Sequence, residues 1–598
     1  MAEAEVESSA YVNKNKMGLL GAISYIIGNI VGSGIFIAPT AILLKTDTVG
    51  LSLSVWAAAA IISILGSFCY VELGTSIRIS GADFAYLCYV KWYSVAFAFM
   101  CAGCAINYPA TIAIQAETFA EYVIKGFELE LADSLASYLA KKLIGFSLLW
   151  LLMFLNFFSL KTFVSRFQIV ATFAKVLSTA IVIFTGFYYL IFRGWTQNLK
   201  NPFDGTNFDA GNVALALYAG LFSYDGWDIL NFGAEEIEKP RRTMPLAIII
   251  GMTVVAIIYI ATNISYFVVL SVDEIKASQA VASTFAAATL GNFQYAMPFL
   301  ICVLLVGSLN STLFSASRWT TVTCSLFFRN ILDYYNIVKA LQSRRLREKK
   351  LALQAKAALS LHMYLHAAAR QGHLPSFISC ANDINDSPRA AVFVNIILSM
   401  GLSFAGDLDT LISYVGFAQW SQRSLTMLAL LWIRFRHKPV HADAIRTPII
   451  MPVVFFVICT ALVLVTIVKD IALSGVGLGV IAAGFIIYFL FLYERSLPST
   501  KCFQRASFAI NNATTAFAQI VFNTMPTRVA EEEELIHSTP AATNSSTEDM
   551  FTLSVTKDEK RQKHGRIKRL FRHRKANIAD VNKPPPNCAD AFNEIDKK

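Results

Sequence analysis

Runs of about 20 apolar residues recur along most of this chain, each long enough to cross a bilayer as a helix. Twelve segments can be read, at 17–43, 51–77, 84–122, 143–160, 168–192, 210–233, 244–270, 294–318, 389–405, 409–433, 449–468 and 474–493. Only 15% of the 598 residues are charged and 55% are hydrophobic. That is too little charge to cover a water-soluble body of this size. The expectation is an all-α membrane protein of twelve transmembrane helices. Residues 1–16 are polar and read as a cytoplasmic N-terminus, with no cleavable signal peptide, because the first apolar segment runs past signal-peptide length.

Lysine and arginine set the orientation. Loops after even-numbered segments carry Arg78 and Lys91, then Lys161 and Arg166, then Lys239, Arg241 and Arg242, and finally Arg434, Arg436, Lys438 and Arg446. The opposite loops hold Glu128, Glu130, Asp133, Asp204, Asp209, Asp273, Glu274 and Asp407. This bias places both termini in the cytoplasm; the membrane expected is the plasma membrane. The net charge of +10 therefore reports topology, and no nucleic-acid partner is expected. Sequons at Asn263, Asn310, Asn512 and Asn544 then lie in helices or on the cytoplasmic side, where none is glycosylated. Of the ten cysteines, Cys69, Cys101, Cys104, Cys302 and Cys459 fall in apolar segments. No spacing suggests zinc or an external disulfide framework, so no metal and no cofactor are expected.

The helical domain reads as 17–494 and the cytoplasmic tail as 495–598, polar and mostly disordered. The tail holds four consecutive glutamates at 531–534, and nine Lys/Arg without an acid at 560–575. The basic stretch fits contact with anionic membrane lipids, or simply a solvated tail.

Two segments carry breaks. The first contains GNIVGSGIF, with Gly28, Gly32 and Gly34 inside an apolar run; the sixth contains GLFSYDGWD, with Gly220 and Gly226 beside two carboxylates. Glycine costs about 1 kcal/mol against alanine in a helix interior. A helix unwound in lipid bares peptide groups, and survives only where it lines a cavity. Gly28 and Gly32 also have the spacing that lets helices pack closely. Two breaks five helices apart nevertheless match two five-helix inverted repeats, with freed N–H groups ready for a carboxylate.

Charges inside the apolar segments are the second signal. Lys175 sits in VATFAKVLSTAIVIF. Its ammonium fills a sodium position, carries a proton, or snorkels to the interface. Asp225 and Asp228 bind a cationic side chain, relay a proton, or cap the next half-helix. Phe222 and Trp227 gate a pocket or pack.

Together GNIVGSGIF, SGADFAYL, RFQIVATFAK, GLFSYDGWDILNFGAEEIEKPRRTMPLAI, GSLNSTLFSASR and AARQGHLPSFIS resemble the L-type, light-chain branch of the amino acid–polyamine–organocation superfamily, over roughly 17–495. The resemblance implies a LeuT-like fold of 5+5 inverted repeats with helices 1 and 6 broken, and sodium-independent exchange of L-amino acids. It implies that the substrate carboxylate meets Ile30, Gly32, Ser33 and Gly34, and that the substrate ammonium meets Phe222, Ser223 and Asp225. It makes Phe222 a gate and Lys175 a substitute for sodium.

Three features depart from that branch. The loop GFELELADSLASYLAKK lacks the cysteine that links light chains to a heavy-chain glycoprotein, so non-covalent rather than disulfide pairing is the partner arrangement left open. Asp225 resembles the branch exchanging cationic amino acids and cystine, and Asp228 a cationic/neutral branch; acceptance of Lys or Arg beside neutral substrates is expected. Residues 319–362 are extra, with eight basic and two acidic residues. They read as an amphipathic cytoplasmic insertion or as sequence retained from an unspliced transcript.

The expected function is therefore a sodium-independent amino acid exchanger working by alternating access. A proton-coupled symporter and an amino acid receptor that does not transport are the alternatives. An enzyme is not expected, since no nucleophile–base pair, metal spacing or phosphate loop is present.

Overall fold

The computed structural model describes residues 18–77, 82–129, 134–157, 161–206, 208–232, 237, 240–313, 389–441, 444–491, 493, 496–497 and 500–522. The expected insertion at 319–362, the N-terminus 1–16 and the charged runs at 531–534 and 560–575 lie outside these residues. Among the described residues the chain is helical, apart from an isolated bridge at Ile237.

The helices are α1 (Leu19–Ile30), α2 (Gly34–Thr46), α3 (Val49–Ser76), α4 (Ala82–Tyr89), α5 (Tyr93–Gly126), α6 (Ser134–Phe157), α7 (Lys161–Ile191), α8 (Ala210–Ser223), α9 (Ile229–Phe232) and α10 (Pro240–Val269). They continue with α11 (Val272–Ala277), α12 (Val281–Thr289), α13 (Gly291–Leu313), α14 (Arg389–Leu402), α15 (Leu408–Phe435), α16 (Ile450–Lys469), α17 (Ile471–Phe491) and α18 (Lys501–Phe522). By length and composition, eight described helices can cross a membrane, or nine if α1 and α2 form one bent span. The expected sixth and ninth spans come out short, as α8 and α14, 14 residues each. The tenth, α15, is long enough but carries Gln419, Arg423 and several hydroxyls through its middle. Serines and threonines along the spans fold back onto their own helix, as Ser67 does to the Ser63 carbonyl (2.6 Å) and Thr118 to that of Ile114 (2.7 Å). Each such hydroxyl spends its donor inside its own helix and needs no partner from lipid or core.

The segment expected at 84–122 is two helices. Lys91 adopts φ 67°. The N–H of Trp92 reaches back to Leu87 (3.0 Å) and that of Lys91 to Cys88 (2.9 Å). This double closure stops α4 and turns the chain into α5. The same closure ends α5 at Glu128 and α15 at His437, both with positive φ.

Helix α10 packs against α1, α3 and α7, while α15 packs against α16, α8 and α5. The short helix α11 is strapped onto α2: Thr40 Oγ1 donates to the carbonyls of Ser278 (2.6 Å) and Ile275 (3.2 Å), and Lys276 pairs with Asp47 (2.6 Å). Near the end of α15, Arg434 Nε donates to Glu72 Oε1 of α3 (2.7 Å). Thr447 closes that pair through its N–H to Glu72 Oε2 (3.1 Å).

Helix α18 falls where an unstructured tail is expected. Phe517, Ala518, Val521 and Phe522 recur at helical spacing, which is enough to form one apolar edge. Ala518 and Phe522 are buried beside Phe157, Ala390 and Phe393, and Arg389 ties the end down by donating to the Phe522 carbonyl (2.9 Å).

Candidate functional site

The first span breaks between Ile30 and Gly34, bending by 49°. Helix α1 closes with the Val31 N–H on the Ile27 carbonyl (2.9 Å), so the carbonyls of its last turn have no intrahelical partner. At the other side of the gap, the first N–H groups of α2 are equally unclaimed by the helix. The sixth segment breaks as well. Helix α8 starts on an Asp209 cap (Gly211 N–H to Oδ1, 3.0 Å) and ends at Ser223; a turn follows, and α9 begins at Ile229. Gly226 sits in that turn at φ 99°, a conformation strained for any residue with a Cβ.

Two side chains join the two breaks, and a third caps the first of them. Asn29 Nδ2 donates to the carbonyl of Gly226 (3.1 Å). Tyr259, from the middle of α10, places its hydroxyl 2.8 Å from the Ile30 carbonyl and 3.0 Å from the Ser223 carbonyl. A phenol has one proton, so the two carbonyls share it and each keeps accepting capacity. The ring is fully buried, in edge contact with Trp56 (5.6 Å) and tilted against Tyr224 (4.9 Å). Lys175 is the third. Its residue is 7% exposed, and Nζ donates to the Gly28 carbonyl at 3.3 Å, a cation on the last turn of α1.

The glycines divide by their surroundings. A Cβ on Gly34 would lie 2.6 Å from Ser223 Cα, so α2 and the end of α8 touch backbone to backbone. Gly32 faces Ser308 of α13, with 3.6 Å of room, and Gly28 has open space. The close approach is therefore at Gly34, and the Gly28–Gly32 spacing does not pack a helix. Ile30, Ser33 and Ser223 are buried and Phe222 is half-buried against the core.

Asp225 is held by the protein itself. Arg423 Nη2 of α15 donates to Oδ1 at 2.5 Å, and Gln419 Nε2 to Oδ2 at 3.1 Å. The guanidinium lies over two indoles, 4.8 Å from the Trp227 ring centroid and 5.0 Å from that of Trp420. Trp227, a candidate gate from sequence, is wholly buried between that guanidinium and Tyr70 (ring centroids 5.0 Å). Asp228 stands half-buried in the same turn, its carbonyl accepting the Asn231 N–H (2.8 Å). Tyr70 in turn donates to Asp83 at the start of α4.

Reading the chain alone missed Tyr259, Asn29 and Arg423. A tyrosine in an apolar helix reads as packing, and nothing local marks it. Arg423 was findable: a lone arginine deep in a span requires a partner, and Gln419 lies one turn before it.

The model of the amino acid permease family matches residues 17–321 and 357–493. The chain belongs to the amino acid permease family. This permease falls in the light-chain branch, is a carrier rather than an enzyme, and has the LeuT-like fold that the family implies. It is 55% identical over 518 residues to amino acid transporter protein 6 of Caenorhabditis elegans, covering 87% of the permease and 90% of the relative. It is 33% identical over 487 residues to the human cystine/glutamate transporter, covering 81% and 87%. It is 30% identical over 499 residues to the b(0,+)-type amino acid transporter 1 of Mus musculus, covering 82% and 92%. The unmatched interval 322–356 lies within the expected insertion of the permease.

Proposed function

We propose that this permease is a sodium-independent exchanger of L-amino acids, with twelve spans in two inverted five-helix repeats, broken at the first and sixth. The supporting observation is the shared Tyr259 hydroxyl, which couples Ile30 to Ser223 across both breaks. The substrate carboxylate meets the N–H groups of Gly32, Ser33 and Gly34 at the start of α2, where the helix dipole favours an anion. The substrate ammonium meets the carbonyls of Phe222, Ser223 and Asp225, and Phe222 covers the occupied site. Lys175 supplies, on the Gly28 carbonyl, the positive charge that an ion would bring in a sodium-coupled carrier. Transport follows as the broken helices rock against the remaining ones and expose the site to one side and then the other.

Both termini face the cytoplasm of a plasma-membrane protein. A heavy-chain glycoprotein, if used, is held without a disulfide, because the loop between α5 and α6 has no cysteine. Neutral side chains suit the site directly. The cationic part of the expected range depends on Asp225, whose carboxylate Arg423 engages.

Counterflow into liposomes holding the purified full chain tests the reading. Internal leucine should drive uptake of labelled leucine in sodium-free buffer without a pH gradient. Uptake that needs an inward proton gradient would make it a symporter, and binding without flux a receptor.

A further inference from the structure

The Asp225–Arg423 pair carries a statement about specificity, which rests on the transport reading above. Asp225 lies two residues beyond Ser223, in the turn between α8 and α9, and its side chain remains 33% exposed. It is therefore placed beside the interrupted backbone and partly open. Arg423 is not open: its side chain is 5% exposed, and its guanidinium lies over the rings of Trp227 and Trp420. Arg423 Nη2 takes one carboxylate oxygen at 2.5 Å, and Gln419 takes the other. Among the described residues, buried Nη1 of Arg423 has no hydrogen-bond partner. A buried guanidinium with one donor arm spare can still donate to a neutral or anionic oxygen, but it repels a second cation in a medium that screens poorly.

We propose that Arg423 fills, from within the protein, the place that a lysine or arginine side chain would take against Asp225, and so excludes cationic amino acids from the site. The carboxylate that suggests a cationic carrier is already neutralised by the chain. A substrate cation would have to displace a buried guanidinium that lies over two indoles, costing it the carboxylate it is hydrogen-bonded to. Like-charge juxtaposition is a means of rejecting a partner, distinct from building contacts to the right one. Arg423 is thus a specificity-determining residue although it comes from α15, outside both breaks.

Counterflow with purified full-length chain tests this, using labelled leucine, arginine and lysine. The wild type should carry leucine and neither cation. Arg423→Met should raise the arginine-to-leucine uptake ratio by at least about tenfold. The double variant Arg423→Met/Asp225→Asn should lose that gain, because the Asp225 carboxylate freed to receive the cation is gone. Wild-type transport of arginine at a rate near that of leucine overturns the proposal without any variant, so a poorly folding Arg423→Met does not shield it. An unmoved ratio in a folded Arg423→Met overturns it as well. Absence of leucine flux in the wild type removes the transport reading itself.

Discussion

Gly34 and Ser223 meet backbone to backbone: a Cβ on the glycine would sit 2.6 Å from the serine Cα. The start of α2 and the end of α8 are thereby pressed together at the two breaks. Gly34→Ala must push backbone apart, at about 1–3 kcal/mol, and should lower both thermal stability and flux. Gly32→Ala has 3.6 Å of room. It should fold with a melting temperature near wild type and lose flux because a methyl group crowds the N–H groups offered to the substrate. Equal melting temperatures for the two variants would contradict the contact.

Tyr259→Phe keeps the ring against Trp56 and Tyr224 and removes only the shared proton. Two buried carbonyls then lose their common donor, at about 1–3 kcal/mol. Leucine counterflow should fall roughly tenfold to a hundredfold, with the amount of folded protein, measured by size-exclusion fluorescence, little changed. Unaltered flux would remove the tyrosine from the site.

Lys175→Ala leaves the Gly28 carbonyl without its cation. Uptake in sodium-free buffer should fall at least about tenfold and recover in part when sodium is supplied. A loss that sodium does not relieve would mean that the ammonium serves some other purpose.

The Glu72–Arg434 pair is buried, with side chains 3% and 16% exposed. Glu72→Gln leaves a guanidinium facing a neutral amide, costing about 3–5 kcal/mol. The melting temperature should drop well below that of the double variant Glu72→Leu/Arg434→Leu, in which neither charge is left behind. A double variant less stable than the single one would show that the pair contributes more than its own mutual neutralisation.

At the start of α8, Lys469 and the Gly211 N–H hold the Asp209 carboxyl below the usual carboxylate range. A lowered value means that this contribution is present above the unfolded pKa of about 4, and disappears as pH falls through the folded value. The difference in melting temperature between wild type and Asp209→Asn should therefore be present at neutral pH and shrink in acid. A difference that grew in acid would reverse the sign.

Both breaks are legible in the sequence because they are made of local chemistry, glycines and carboxylates where an apolar helix has no use for them. Lys175 is legible for the same reason. Tyr259 and Arg423 are not marked in that way, since their meaning lies in partners far along the chain: Arg423 meets Asp225 across 198 positions. Asp225 shows the cost of reading locally. Alone it suggests a receptor for a substrate cation, and only the folded chain supplies the cation already there. Lys91 misleads in the opposite sense, since hydropathy runs straight across it while its left-handed backbone ends one helix and starts another. Helix α18 escapes a composition reading because its polar residues dilute an apolar edge that is periodic.

Because α11 is hydrogen-bonded and ion-paired to α2 through Thr40 and Asp47, tilting the two separately would break those contacts. A swing of α2 that keeps them, as the proposed rocking would, carries this short helix along as cargo. A fluorescent probe on its outer side would then follow the rocking of a buried helix from a position that the substrate never visits.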